Sequence, residues 1–162
     1  MGAATEGSMS YVEETLQPGE TIIYRTRLHW IVFFPAIVLV IAGMAAIILG
    51  PHAQQEMVAK LVATLGYALI IFAFVMAISV WIQFISTEMA ITNRRVVAKV
   101  GFIWRRTIEM ERQKVESVSV DQSIIGRLLD YGTLIVRGTG STLEPMANID
   151  SPLEFRNKLL AG

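Results

Sequence analysis

Two long apolar runs without a single charged residue, 30–50 and 61–87, interrupt a chain otherwise made of short alternating segments. At 1.5 Å rise per residue each run reaches about 30 Å or more as a helix, the thickness of a bilayer's hydrocarbon core. Both are therefore expected to be transmembrane helices. Pro35 falls in the first turns of the first run, where a missing N–H costs least, and Gly50-Pro51 ends it. The loop at 51–60 is short, which makes the two helices antiparallel neighbours. Small residues, Ala42, Gly43 and Ala46 on the first and Ala63, Gly66, Ala73 and Ala77 on the second, allow their backbones to approach closely.

After Thr87 the period changes from helical to alternating, and turn residues punctuate it. Strands are predicted at 88–92, 96–100, 104–110, 115–121, 133–137 and 142–149, with Pro145 pushing part of the last to an edge. Val96, Ala98 and Val100 share one face and Trp104, Ile108 and Met110 another, and these faces are the expected core. Residues 123–131 read as one or two helical turns closed by Gly132. Ser151-Pro152-Leu153-Glu154 has the spacing of a capping box, Ser at N-cap and Glu at N3, opening a terminal helix to Leu160 with Phe155 and Leu159 inward. Ahead of the first apolar run, 21–26 also alternates, Ile22 against Tyr24, and is a candidate seventh strand.

Composition sharpens the membrane reading: 53% hydrophobic with only 17% charged residues is too apolar for a soluble globule of this length. The net charge of zero gives no sign of nucleic-acid binding, and the absence of cysteine removes disulfides, thiolate chemistry and Cys-based zinc sites. Arg25 and Arg27 precede the first run and Arg94, Arg95, Lys99, Arg105 and Arg106 follow the second, while the loop holds Lys60 offset by Glu56. By the positive-inside rule both termini are cytoplasmic. His29, Trp30 and Trp81 sit where interfacial anchors are expected. No charge lies within either run, which counts against a proton relay or ion pathway. Residues 1–15 read as a disordered leader, 16–29 as an N-terminal cytoplasmic segment and 88–162 as a cytoplasmic β domain.

Catalysis needs a nucleophile, base or metal cluster in reach, and the two histidines, His29 and His52, lie at opposite ends of the first run. There is no metal-ligand spacing, P-loop or dinucleotide fingerprint, so no catalytic residue, metal or cofactor is assigned. Glu109 and Glu111 share one face of a strand and read as a solvated pair. The basic residues Arg94, Arg95, Lys99, Arg105 and Arg106 are expected to gather near the membrane exit of the second helix. There they either fix topology by retention or also hold anionic lipid headgroups. Ile124, Ile125, Leu128 and Leu129 read as core or membrane-facing, with a protein-binding surface as the alternative.

Several linked segments resemble the bacterial PH-like membrane proteins often called YdbS-like. They are Leu16-Gln17-Pro18-Gly19-Glu20, then His29-Trp30 and two spans, then Ile91-Thr92-Asn93-Arg94-Arg95-Val96-Val97, Gly101, the stretch from Ile108 to Val118, and Gln122-Ser123-Ile124-Ile125-Gly126-Arg127-Leu128-Leu129-Asp130-Tyr131-Gly132-Thr133. The resemblance implies a pleckstrin-homology (PH) type curved antiparallel sheet with a C-terminal capping helix, no established catalytic activity, and the bacterial cytoplasmic membrane as location. The expected function is a membrane-anchored scaffold that binds another membrane protein or a second copy of itself, with membrane lipids against its basic face. The alternative is a lipid-binding accessory subunit of a transport or envelope-maintenance system.

Overall fold

A computed structural model describes residues 11–52, 55–101, 106–139, 141–142 and 145–161. The chain divides into two compact units, one of Leu28–Ser86 and one of Met1–Arg27 with Thr87–Gly162. Trp104, Arg105, Gly140 and most of the predicted leader lie outside the described residues.

In chain order the elements begin with α1 (Tyr11–Glu14) and β1 (Ile22–Arg27). The apolar unit follows: a 3-10 turn at Trp30–Phe33, α2 (Phe34–Leu49), a second 3-10 turn at Gly50–His52, and α3 (Glu56–Ser86). Next come β2 (Glu88–Thr92), β3 (Arg95–Val100), β4 (Arg106–Glu111), a 3-10 turn at Arg112–Lys114, and β5 (Val115–Asp121). Then α4 (Ile124–Leu129), β6 (Tyr131–Gly138), β7 (Ser141–Thr142), β8 (Met146–Asp150) and α5 (Pro152–Leu160) complete the fold.

Trp30–Leu49 and Glu56–Ser86 are both long and apolar enough to cross a membrane, and only 11% of each hydrophobic window is buried within the protein. The second helix starts earlier than the uncharged run, at Glu56, and an exposed i,i+4 ion pair between Glu56 and Lys60 lies along its first turn. The helices meet through residues seven apart, Ala36 and Gly43 on α2 and Gly66 and Ala73 on α3, all buried. A Cβ on Gly43 would lie 2.9 Å from the Gly66 carbonyl oxygen, and one on Gly66 would lie 2.7 Å from the Gly43 carbonyl oxygen. Of the small residues picked out by sequence, Gly43, Gly66 and Ala73 form the seam, whereas Ala42 is exposed.

The other unit holds two antiparallel sheets, one in the order β1-β2-β3-β4 and one in which β5 and β7 flank β6, with β8 sharing the β7 edge. The last predicted strand, 142–149, is thus split into β7 and β8, because Pro145 has no N–H to give the ladder. β1 pairs with β2 from Ile22 opposite Thr92 to Arg27 opposite Glu88, so residues before the apolar unit complete the sheet after it. Helix α5 packs across β1, β2, β5 and β6, and Phe155 and Leu159 are buried, as are Met89, Ile91, Leu134 and Val136 of β2 and β6. On the reverse face Val12 of α1, at 1% exposure, covers Ala90 and Val97 with Ile22 beside them. Residues 11–15 are therefore not part of a disordered leader, since Val12 closes the outer face of β2 and β3.

Candidate interaction site at the hairpin turn and terminal helix

The segment Gln17-Pro18-Gly19-Glu20 is a tight turn, with Gly19 at φ +78° and the Glu20 N–H donating to the Gln17 carbonyl at 2.8 Å. Proline then glycine at the two central positions is the composition a type II turn requires. It places the Glu20 carboxylate, whose side chain is fully buried, where it accepts the Gln17 N–H (2.9 Å), the Thr92 hydroxyl (2.7 Å) and two Arg95 N–H groups (2.9 and 3.0 Å). Arg95 also donates to the Thr15 carbonyl (2.7 Å) and pairs with Glu109. Burial pushes the Glu20 carboxyl up, but the hydrogen bonds from Arg95, Gln17 and Thr92 outweigh it and hold the pKa at about 2. Asn93 fastens the same turn, donating to the Gly19 carbonyl and accepting from the Thr21 N–H, both at 3.1 Å.

Arg112, which sequence reasoning passed over, ties the β4–β5 turn to the terminal helix. Its guanidinium donates to the carbonyls of Lys158 (3.1 Å) and Leu159 (3.0 and 3.3 Å) at the C-terminus of α5. A cation there satisfies the last-turn acceptors and suits the negative end of the helix dipole. Between this helix end and the β2–β3 turn opens a groove of about 790 Å³, lined by Gln17, Asn93, Arg94, Glu109, Glu111 and Arg112 among others. Both charge signs line it, and its wall beside α5 is apolar at Leu159 and Leu160.

Of the five predicted basic residues, Arg105 lies outside the described residues, and the other four are divided between the two ends of β3. Arg94 and Arg95 lie at the turn end of β2 and β3, whereas Lys99 stands opposite Glu88 at the other end and Arg106 pairs opposite Val100. At about 3.3 Å per residue the two ends are roughly 13 Å apart. Arg95 is consumed by the Glu20, Glu109 and Thr15 contacts, and its side chain is only 14% exposed. Arg94 is exposed and reaches the Gln17 side chain at 3.5 Å. Only the backbone of Arg106 is described. Glu109 is likewise not a bare solvated carboxylate, since it completes the Arg95 network; Glu111 pairs with Lys114 on the surface.

Ile124, Ile125, Leu128 and Leu129 are not core: they are 87, 59, 83 and 36% exposed. Ser123 caps α4, accepting the Gly126 N–H at 3.0 Å, and the helix ends at Asp130 in the left-handed region rather than at Gly132. A Cβ at Gly132 would collide with the Asp121 carbonyl at 2.7 Å, which is why glycine stands there. Ser151 precedes α5 as predicted, yet no capping box forms. Its φ of 44° turns the hydroxyl away, to donate to Asp130 Oδ2 at 2.8 Å.

In the apolar unit His29 is buried, with Nδ1 accepting the Ile31 N–H at 3.2 Å and the ring 5.2 Å from that of Trp30. It caps the first turn of the apolar unit. Trp30 and Trp81 are about half exposed, and Phe33 joins Trp81 and Phe84 in an aromatic cluster where α2 begins and α3 ends. Among the described residues no group of three or more His, Asp or Glu could hold a metal ion.

Two antiparallel sheets closed by a C-terminal helix that spans both define a PH-like domain, a class whose members are typically non-enzymatic interaction modules. The chain belongs to the bacterial PH domain family, whose sequence pattern matches residues 28–162. No curated protein and no solved structure matches it. The match takes in both apolar helices as well as the PH-like strands from β2 onward, and it starts just after β1.

Proposed function

We propose that this protein is a membrane-anchored, non-enzymatic PH-like interaction module of the bacterial cytoplasmic membrane, docking another membrane protein in the groove beside α5. The observation that carries this reading is the way the module joins the apolar helices. Arg27 and Glu88 are opposite one another on β1 and β2, and each is the strand residue nearest an apolar helix in the chain. Only Leu28 and His29 separate β1 from the Trp30–Phe33 turn, and only Thr87 separates α3 from β2. A hairpin in lipid would tether the module to the membrane through two short connections, raising the effective concentration of any neighbouring membrane protein. The groove favours an extended peptide over a small apolar ligand: it is open, carries charges of both signs, and is bordered by a helix end.

The test is purification of the full-length protein from native membranes in mild detergent, after washing the membranes with carbonate. The protein should resist the wash and bring down one protein partner in fixed proportion. A Glu111→Arg/Gln113→Arg variant, altered only at exposed groove positions, should lose that partner while keeping its own yield. Release by carbonate would overturn the anchoring. Recovery of the protein alone with one enriched anionic lipid would overturn the docking role in favour of a lipid-binding accessory.

A further inference from the structure

The α4 helix exposes apolar side chains that the docking groove leaves unexplained. Ile124 and Leu128, four apart and therefore on one face, are 87 and 83% exposed, and Ile125 adds a third at 59%. The helix is not frayed. Ser123 caps its start, the Asp130 N–H closes its end on the Gly126 carbonyl, and Gly126 is packed so tightly that a Cβ would lie 2.6 Å from the Tyr131 carbonyl oxygen. A short helix clamped at both ends and presenting Ile and Leu outward is a built feature.

Its position on the module says what covers it. The carbonyl and carboxylate of Asp130 accept from the N–H and hydroxyl of Ser151, at 2.9 and 2.8 Å. The preceding carbonyl, of Asp150, accepts the Thr26 hydroxyl at 2.6 Å. Thr26 is next to Arg27, the last residue of β1, so two hydrogen-bonded steps connect the end of α4 to the end of the sheet where the chain leaves for the apolar helices. Arg27 and Arg127 are exposed cations at this same end. An exposed apolar helix face, with the cations Arg27 and Arg127 and the carboxylates Asp130 and Asp150 around it, beside the point of departure into a hydrophobic hairpin, has the chemistry of an interfacial helix at a bilayer surface.

We propose that α4 is an interfacial wedge, lying in the headgroup layer of the membrane that α2 and α3 cross, with Ile124, Ile125 and Leu128 inserted among the lipids. The wedge rests on the reading of α2 and α3 as membrane spans. It fixes the orientation of the module about its two short connections, which a hairpin alone leaves free to tilt.

The chain contains no cysteine, so single cysteines can carry an environment-sensitive fluorophore in the full-length protein. Ile124→Cys and Leu128→Cys report on the wedge. Gln113→Cys, in the turn at the opposite end of β5, is the water-exposed control, and Phe74→Cys, exposed in the middle of α3, reports on spanning. The labelled proteins are reconstituted in vesicles of phosphatidylethanolamine and phosphatidylglycerol. Labels at Ile124 and Leu128 should shift to the blue, be protected from aqueous iodide, and be quenched by nitroxides carried shallow on the acyl chains, about 5–10 Å below the headgroups. The label at Gln113 should behave in the opposite way. If Ile124 and Leu128 labels meet iodide as freely as Gln113 does while Phe74 is quenched by lipid, the wedge is overturned and the spans stand. Protection from iodide without quenching by lipid nitroxides would also overturn it, assigning α4 to a protein contact. A Phe74 label that lipid nitroxides do not reach would remove the spans and the wedge with them.

Discussion

Arg95, which follows the apolar helices in the chain, holds Glu20, which precedes them, Nε to Oε1 at 2.9 Å and Nη2 to Oε2 at 3.0 Å, across a sequence separation of 75 residues. The pair joins the Gln17–Glu20 turn to the β2–β3 hairpin and leaves neither group unpaired. Removing Arg95 strands the buried Glu20 carboxylate without a counter-ion, which costs about 3–5 kcal/mol, whereas removing Glu20 leaves Arg95 paired with Glu109 and Thr15. Arg95→Met is expected to destabilise the module by that amount in denaturant unfolding of the detergent-solubilised protein, and Glu20→Leu by less. Arg95→Lys should rescue little, because an ammonium cannot present the two-pronged fork that Glu20 accepts. A fully stable Arg95→Lys variant would show that charge alone, not geometry, secures the turn.

The same pair sets an acid limit. The Glu20 carboxyl is lowered from its ordinary 4.5 to about 2 in the folded protein. A depressed carboxyl contributes stability that is present above the unfolded pKa and is lost as pH falls through the folded one. Stability should therefore decline between about pH 4.5 and pH 2, by roughly 3 kcal/mol at one pKa unit per 1.36 kcal/mol. Unfolding free energies measured at intervals across that window check it. Glu20→Gln should flatten this part of the profile, and an unchanged slope in that variant would assign the acid sensitivity to other carboxylates.

Local patterning gave away the strands, because alternation is a short-range signal that survives without knowledge of the partner strand. The role of Arg95 was not legible, since Glu20 lies on the other side of the whole hairpin and the only local cue was a run of neighbouring arginines. That run suggested a lipid patch, yet β2 and β3 place Lys99 at the opposite end from Arg94. The β1 pairing also makes the module discontinuous: a fragment of residues 88–162 lacks the Glu20 that Arg95 needs. For Ile124 and Leu128 the fourfold spacing identified a helix face without saying which side it turned to. The Ser151 motif had capping-box spacing, but backbone conformation decides which atom a hydroxyl reaches, and φ 44° directs it to Asp130.

In the apolar unit the close approach of Gly43 and Gly66 leaves no room for a methyl. Gly43→Ala would put Cβ 2.7 Å from Ile70 Cγ1 and 2.9 Å from a backbone oxygen, and backbone cannot step aside as a side chain can. Overpacking of this kind costs about 1–3 kcal/mol. Thermal stability in detergent should fall for Gly43→Ala and for Gly66→Ala, while Ala42→Leu, on the exposed face, should be near neutral. The double glycine variant should lose less than the sum of the two, because one separation of the helices relieves both clashes. Additive losses would mean that the two positions do not share a contact.

Asp130 ends α4 at φ 56° and ψ 45°, a conformation that costs an L residue about 1–2 kcal/mol and that glycine adopts freely. Its side chain offsets part of this by accepting the Ser151 hydroxyl at 2.8 Å, a bond worth about 0.5–1.5 kcal/mol net. Asp130→Ala keeps the strain and loses the bond, so it should destabilise the module by about 1 kcal/mol. Asp130→Gly loses the bond but also the strain, and should lie within about 1 kcal/mol of the parent. Denaturant unfolding of the two variants separates backbone from side chain, and a cycle with Ser151→Ala isolates the hydrogen bond. If glycine proves as costly as alanine, the left-handed backbone contributes no strain. The hydrogen bond from Ser151 would then be the main force that holds the end of α4 beside the strand leading to the apolar helices.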